Sequence, residues 1–148
     1  MLLVAISNMK TLNNYITEAW GGVKKQSNIE NIKSWCDKMG IENYTINSKG
    51  EIDVDGGVML TNKHLKELPY KFGRVKGSFT ISANEELTSL KNCPDEVGGY
   101  FSCYNCSRLF SLEGCPKKVG KYFNCSNCER EFTEKEVKAI CKVNIIYI

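Results

Sequence analysis

The stretch Gly99-Tyr-Phe-Ser-Cys-Tyr-Asn-Cys-Ser-Arg-Leu-Phe-Ser-Leu-Glu-Gly-Cys-Pro-Lys-Lys-Val-Gly120 decides the fold, because the chain then begins it again. Lys121-Tyr-Phe-Asn-Cys-Ser-Asn-Cys128 repeats its opening. Gly77-Ser-Phe-Thr-Ile-Ser-Ala-Asn-Glu-Glu-Leu-Thr-Ser-Leu-Lys-Asn-Cys-Pro-Asp-Glu-Val-Gly98 precedes it in the same frame. A fixed period of about 22 residues means stacked supersecondary units, each burying its apolar face against its neighbours.

Aligned at this period, the apolar positions fall into columns. Val58, Phe79, Phe101 and Phe123 share one, and Leu60, Ile81, Cys103 and Cys125 the next. Asn84, Cys106 and Cys128 form a third. Leu65, Leu87 and Leu109 follow, then Leu68, Leu90 and Leu112. Phe72, Pro94 and Pro116 align, as do Val75, Val97 and Val119. Each unit supplies a strand, so a parallel sheet is expected, and alternation sends residues 79/81, 101/103 and 123/125 inward. The intervening Thr80, Ser82, Ser102, Tyr104, Asn124 and Ser126 then face outward. With Met59, Thr61, Tyr100 and Tyr122 they form the candidate partner-binding face. Tyrosine offers large contact area at low entropic cost.

Outward from the array, four segments are expected. Residues 1–26 read as a leader or amphipathic extension, with Leu12, Tyr15, Ile16 and Trp20 on one helical stripe. Residues 27–57 read as a helix and a β-hairpin cap. The helix carries Ile29, Ile32, Trp35, Cys36 and Met39 on one face, with Asn28 as its cap and Gly40 as its stop. The hairpin pairs Tyr44–Ile46 with Glu51–Val54 across Asn47-Ser-Lys-Gly50. Residues 58–131 are the repeat array. Residues 132–148 are a C-terminal cap: a helix opened by a Thr133–Glu136 capping box, then a final strand near Asn144–Ile148. The expected fold class is α/β, a short parallel-strand solenoid closed at both ends by non-repeat elements.

The chain has 148 residues, 20 Lys and Arg against 17 Asp and Glu, and a net charge of +3. This charge is too small to argue for nucleic acid by itself. No apolar run reaches the roughly 20 residues of a membrane helix, and the apolar Met1–Ile6 start is a poor secretory signal. A bacterial cytoplasmic monomer with no membrane contact is expected. Its eight cysteines are then free thiols.

Cys103-x-x-Cys106 and Cys125-x-x-Cys128 have four-thiolate zinc spacing. Their columns contain Ile81 and Asn84 one unit earlier, however, and Ile cannot ligate. Cys93 and Cys115 also lie one period apart, which a zinc site does not explain. Core thiols are therefore expected, with no cofactor. A zinc site on Cys103, Cys106, Cys125 and Cys128, stabilising a nucleic-acid-binding module, is the alternative. Stacked strands bring these thiols into pairs, which opens a route to oxidation.

The Phe-x-Cys-x-x-Cys-x-x-Leu-x-x-Leu columns over residues 58–132 resemble leucine-rich repeats, and the Cys-Pro variant resembles repeats of bacteria and their phages. Met9-Lys-Thr-Leu-Asn-Asn-Tyr-Ile-Thr-Glu-Ala19 resembles the capsid-targeting leader of internal proteins of large tailed phages. That resemblance implies cleavage between Glu18 and Ala19, residence in the virion interior before infection, and inhibition of a host factor after injection. An amphipathic helix docked on the solenoid end is the competing reading of the same residues.

No catalytic residues are expected. The chain has one histidine, His64, with no nucleophile placed beside it. Glu51, Asp53 and Asp55 lack the remainder of a calcium loop. Gly56-Gly57 and Gly98-Gly99 precede strands and read as turn glycines. A non-enzymatic protein-binding module is the expected function.

Overall fold

The computed structural model describes Gln26 and residues 28–148. The leader, with the possible processing residues Glu18 and Ala19, lies outside the described residues. The chain divides into two units, Met1–Asp37 and Lys38–Ile148. The described part of the first belongs to helix α1 (residues 28–39). Ile32 and Cys36 are buried, Ile29, Trp35 and Met39 are half-buried, and the residues between them are exposed. This is the apolar stripe the spacing predicts. Asn28 is itself helical, as is Gln26, so it does not cap the helix. Gly40 follows with a φ of 72°, the left-handed geometry that ends a helix without Cβ strain.

The second unit is a parallel β-solenoid of about four turns. Its strands are β1 (Tyr44–Ile46), β2 (Ile52–Val54), β3 (Val58–Met59), β4 (Phe72–Val75), β5 (Phe79–Thr80), β6 (Glu96–Val97), β7 (Phe101–Ser102), β8 (Lys118–Val119), β9 (Tyr122–Asn124) and β10 (Ile145–Tyr147). They form two sheets. The first runs β1-β2-β4-β6-β8 and the second β10-β9-β7-β5-β3. All pairings are parallel except the β1–β2 hairpin. The structure thus adds a sheet to the single one expected. The Val75, Val97 and Val119 column makes strands of its own, in register from β4 to β6 to β8. The hairpin's second strand, β2, pairs in parallel with β4 and is already a rung of the first sheet.

The core lies between the sheets. Phe79, Phe101 and Phe123 are fully buried and in register. Their ring centroids are 6.0 and 5.0 Å apart, and Phe72 meets Phe79 edge-on at 5.2 Å. Leu68, Leu87, Leu90 and Leu109 are fully buried as well. Such burial is worth roughly 2 kcal/mol per large side chain, before the entropy of ordering is subtracted.

The two sheets meet at a corner that excludes side chains. A Cβ on Gly98 would collide with the carbonyl oxygen of Lys76, and one on Gly120 with that of Gly98. The backbone ladder continues through this corner, with Gly77 N–H donating to Gly56 O at 2.8 Å and Gly99 N–H to Gly77 O at 2.8 Å. Hydrogen bonding between turns therefore does not lapse where the chain changes sheets.

Helix α2 (Glu134–Ile140) starts at the predicted capping box. Thr133 Oγ1 accepts from Glu136 N–H, and Glu136 Oε2 accepts from Thr133 N–H at 2.8 Å. The Arg130 guanidinium first, then the Thr133 backbone and hydroxyl, hold the Glu136 carboxyl down at about 2. Beyond the helix the chain re-enters both sheets. Lys142 bridges Lys118 in parallel, and β10 pairs with β9. Lys142-Val143-Asn144-Ile145-Ile146-Tyr147 thus rebuilds Lys118-Val-Gly-Lys-Tyr-Phe-Asn124 with one residue fewer at the corner. That shortening, and Ile in place of aromatic residues, hides the rung from the 22-residue frame.

Candidate partner-binding face

The residues on the outer side of the second sheet are not equivalent. Met59 is 71% exposed and Tyr104 44% exposed, and Thr61 is exposed. Tyr100, Tyr122, Asn124 and Ser126 are half-buried. Thr80, Ser82 and Ser102, expected at the surface, are buried instead. Their small hydroxyls form one chain along the sheet. Thr61 Oγ1 and Thr80 Oγ1 are 3.4 Å apart, Thr80 donates to Ser82 at 3.0 Å, and Ser82 and Ser102 share a 2.7 Å bond. Alternation sets which side of a sheet a residue faces, but not how far short side chains recede between larger ones. These three satisfy one another and are lost to a partner. Asn124 Oδ1 is likewise occupied, accepting from Ser126 Oγ at 2.7 Å and Ser126 N–H at 3.1 Å.

What remains accessible is aromatic and aliphatic. Tyr100 and Tyr122 stack with centroids 4.7 Å apart and planes 2° from parallel. Tyr147 meets Tyr122 edge-on at 5.3 Å. Tyr147 and its neighbours Ile145 and Ile148 are each about half exposed. Ile145 and Tyr147, in register with Tyr122 and Asn124, extend the face and were missed because the fifth rung was not aligned. The Tyr122 hydroxyl is pushed above its ordinary value, by desolvation first and then by the Tyr100 and Tyr147 phenols.

The cysteines have a different use. Asn84, fully buried, closes the turn after β5. Its amide nitrogen donates to Leu60 O at 2.8 Å and Ile81 O at 2.7 Å, and its oxygen accepts from Lys63 N–H at 2.9 Å and Leu65 N–H at 3.1 Å. In the next two turns, thiols take over the donation. Cys106 donates to Ile81 O at 3.5 Å and Cys128 to Cys103 O at 3.4 Å. In the neighbouring column Cys103 donates to Asn124 O at 3.6 Å and Cys125 to Tyr147 O at 3.8 Å. Burial pushes Cys106 up to about 11 and Cys125 up to about 12. Among the described residues, no three His, Cys, Asp or Glu side chains are grouped to hold a metal ion.

His64 is exposed on a turn with φ 55°. Asp53 Oδ1 accepts from Arg74 N–H at 2.8 Å, and Asp55 pairs with Lys76 at 2.9 Å. The turn residues Asn62, Ala83, Asn105 and Asn127 all have positive φ between 54° and 58°. Three of the four are Asn, the non-glycine residue most at ease there, which explains a column the apolar alignment did not use. Among the described residues no helix is long and apolar enough to cross a membrane. Set against protein-family models, curated proteins and solved structures, the chain matches none.

Proposed function

We propose that the second unit is a non-enzymatic protein-binding module whose contact surface is the tyrosine ladder of the second sheet. The observation that carries this reading is the Tyr100–Tyr122–Tyr147 array, with Tyr104 and Ile145 beside it. A ladder held by its own stacking is pre-ordered, so little side-chain entropy is lost when a partner covers it. The leucine-rich-repeat-like columns of the phage and bacterial Cys-Pro type fit this role, since solenoids present extended surfaces to protein partners. The leader-like Met9–Ala19 segment extends the proposal to a packaged phage protein that inhibits a host factor.

The nucleic-acid alternative is weaker. Rings already stacked at 4.7 Å leave no gap for a base between them. The test is affinity capture from bacterial lysate with the natural chain and with Tyr100→Ala/Tyr122→Ala. One dominant protein captured by the first and lost by the second is the expected result. Equal capture by both rejects the face, and bulk nucleic acid released by salt supports the alternative. Mass spectrometry of virions tests the leader: a chain beginning at Ala19 is expected.

A further inference from the structure

The two ends of the solenoid are built differently. At the end near β1, the first sheet runs one strand further than the second: β1 lies beyond β2, while β3, in the same turn as β2, is the last strand of its sheet. A strand approaching β3 there meets the hairpin as a step. At the other end the last turn is level, since Lys142 bridges Lys118 in the first sheet and β10 pairs with β9 in the second. There β10 is an open edge. Tyr147 O accepts from Cys125 N–H at 3.0 Å, so Ile145 and Tyr147 spend their backbone groups on β9. Adjacent residues of a strand send these groups to opposite sides, which leaves the N–H and C=O of Ile146 aimed at the open edge. Edge strands are ordinarily blunted by charge, by Pro or by a bulge. Asn144–Ile148 carries none of the three, and Ile145, Tyr147 and Ile148 are each about half exposed. We propose that this edge pairs with the same edge of a second copy of the chain, β10 antiparallel to β10 about a two-fold axis at Ile146.

The register follows from the backbone and is self-complementary. Ile146 opposite Ile146 exchanges both free hydrogen bonds, which makes the hydrogen-bonded pair of an antiparallel ladder. Ile145 then faces Tyr147 of the second copy, and Tyr147 faces its Ile145. Both pairs lie on the outer side of the sheet, because Ile145 and Tyr147 are in register with Tyr122 and Asn124. Aliphatic and aromatic side chains set opposite each other stabilise paired strands. Ile146, in register with Phe123, continues the core column across the seam. Charge complements the contact at the ends of the seam. With Asn144 of the second copy opposite Ile148, its Val143 and exposed Lys142 run on past Ile148. They lead toward a pocket of about 560 Å³ that Ile148 lines together with the exposed Glu129 and Glu131. Among the described residues neither carboxylate is in an ion pair, and neither is Lys142. The two-fold axis makes this contact twice, and an isologous contact closes at two copies. The outer side of Tyr100 and Tyr122 stays uncovered, so the pairing stands or falls separately from the protein-binding reading.

The experiment measures the mass of the full chain under reducing conditions, by sedimentation equilibrium from about 1 µM to about 1 mM, and follows hydrogen exchange of the Ile146 amide by NMR. A reversible dimer is expected, with the Ile146 amide protected as the dimer forms. Ile145→Lys/Tyr147→Lys sets like charges opposite each other at both outer pairs and should raise the dissociation constant by about tenfold or more. Ile145→Glu/Tyr147→Glu should do the same, and an equimolar mixture of the two variants should restore a dimer with one chain of each. A chain that stays monomeric throughout, an open-ended assembly, a dimer that tolerates both double variants, or a mixture that fails to pair would overturn the proposal. The Ile146 amide of the unmutated chain decides even if a variant fails to fold: exchange independent of concentration overturns the edge contact.

Discussion

The two sheets of the solenoid share turns, register and core, yet their outer faces differ. In the first sheet, Arg74, Glu96 and Lys118 occupy one register position on β4, β6 and β8, with Arg74 3.7 Å from Glu96. In the second, Tyr100 and Tyr122 stack and the small hydroxyls are buried. Exposed alternating charges interact weakly and are screened by salt, so the first face asks only for solvent. The second leaves aromatic surface partly exposed, the surface that the proposed partner would cover. The core is as unequal: the second sheet contributes stacked Phe rings and the first mostly Val.

This inequality predicts how the fold breaks. Phe101→Ala should cost about 4 kcal/mol, because it removes the middle ring of the stack. Val97→Ala, on the facing sheet in the same turn, should cost about 2 kcal/mol. Chemical denaturation measures both, and equal losses would mean that the sheets share the load evenly. The corner joining them comes next. Gly98→Ala should cost about 3 kcal/mol, since the colliding atom is backbone and cannot swing away. Gly56→Ala, with nothing within 4 Å of its added Cβ, should stay within about 0.5 kcal/mol.

The same contrast explains what the sequence made legible. Phe79, Phe101 and Phe123 are large, identical and evenly spaced, so their strands are evident. Val75, Val97 and Val119 align equally well, but each is followed within two residues by a corner glycine, so the column reads as the approach to a turn. Their sheet exists because the stacked turns place backbone beside backbone. The face was legible in part: Tyr100, Tyr104 and Tyr122 stand where alternation puts them. Thr80, Ser82 and Ser102 do not serve it, because a side chain's depth depends on its neighbours' sizes across turns. Tyr147 was hidden by the one-residue contraction at Asn144.

Within the second sheet, the polar column offers a finer cut. Asn84→Ala should cost about 3 kcal/mol, as it strands the Lys63 and Leu65 N–H groups and the carbonyls its amide serves. Asn84→Cys should recover only part, since a thiol replaces the donation but accepts poorly. If Cys matches Asn, the acceptor half of the column is dispensable. Alkali probes the thiols themselves. A thiol raised from about 9 to about 11, as Cys106 is, holds its proton more tightly folded than unfolded. Its contribution is complete below pH 9 and fades as pH rises toward 11, by an amount on the order of 2 kcal/mol. Denaturation curves across that interval should show the decline, and Cys106→Ala should reduce it, the other raised thiols supplying the rest.

The smallest stability effects carry the functional contrast. Tyr100→Ala/Tyr122→Ala should cost only about 1 kcal/mol, because these rings are half-exposed and their loss opens no core cavity. Arg74→Ala should cost less than about 0.5 kcal/mol, since its guanidinium and the Glu96 carboxylate are both solvated. Thermodynamically the two variants are near neighbours; as binding surfaces they should be opposites. Capture of a protein partner should disappear with the tyrosines and survive loss of the arginine at every salt concentration. Loss with Arg74→Ala instead, relieved at low salt, would move the contact to the first sheet and make the tyrosine ladder a device for stacking turns.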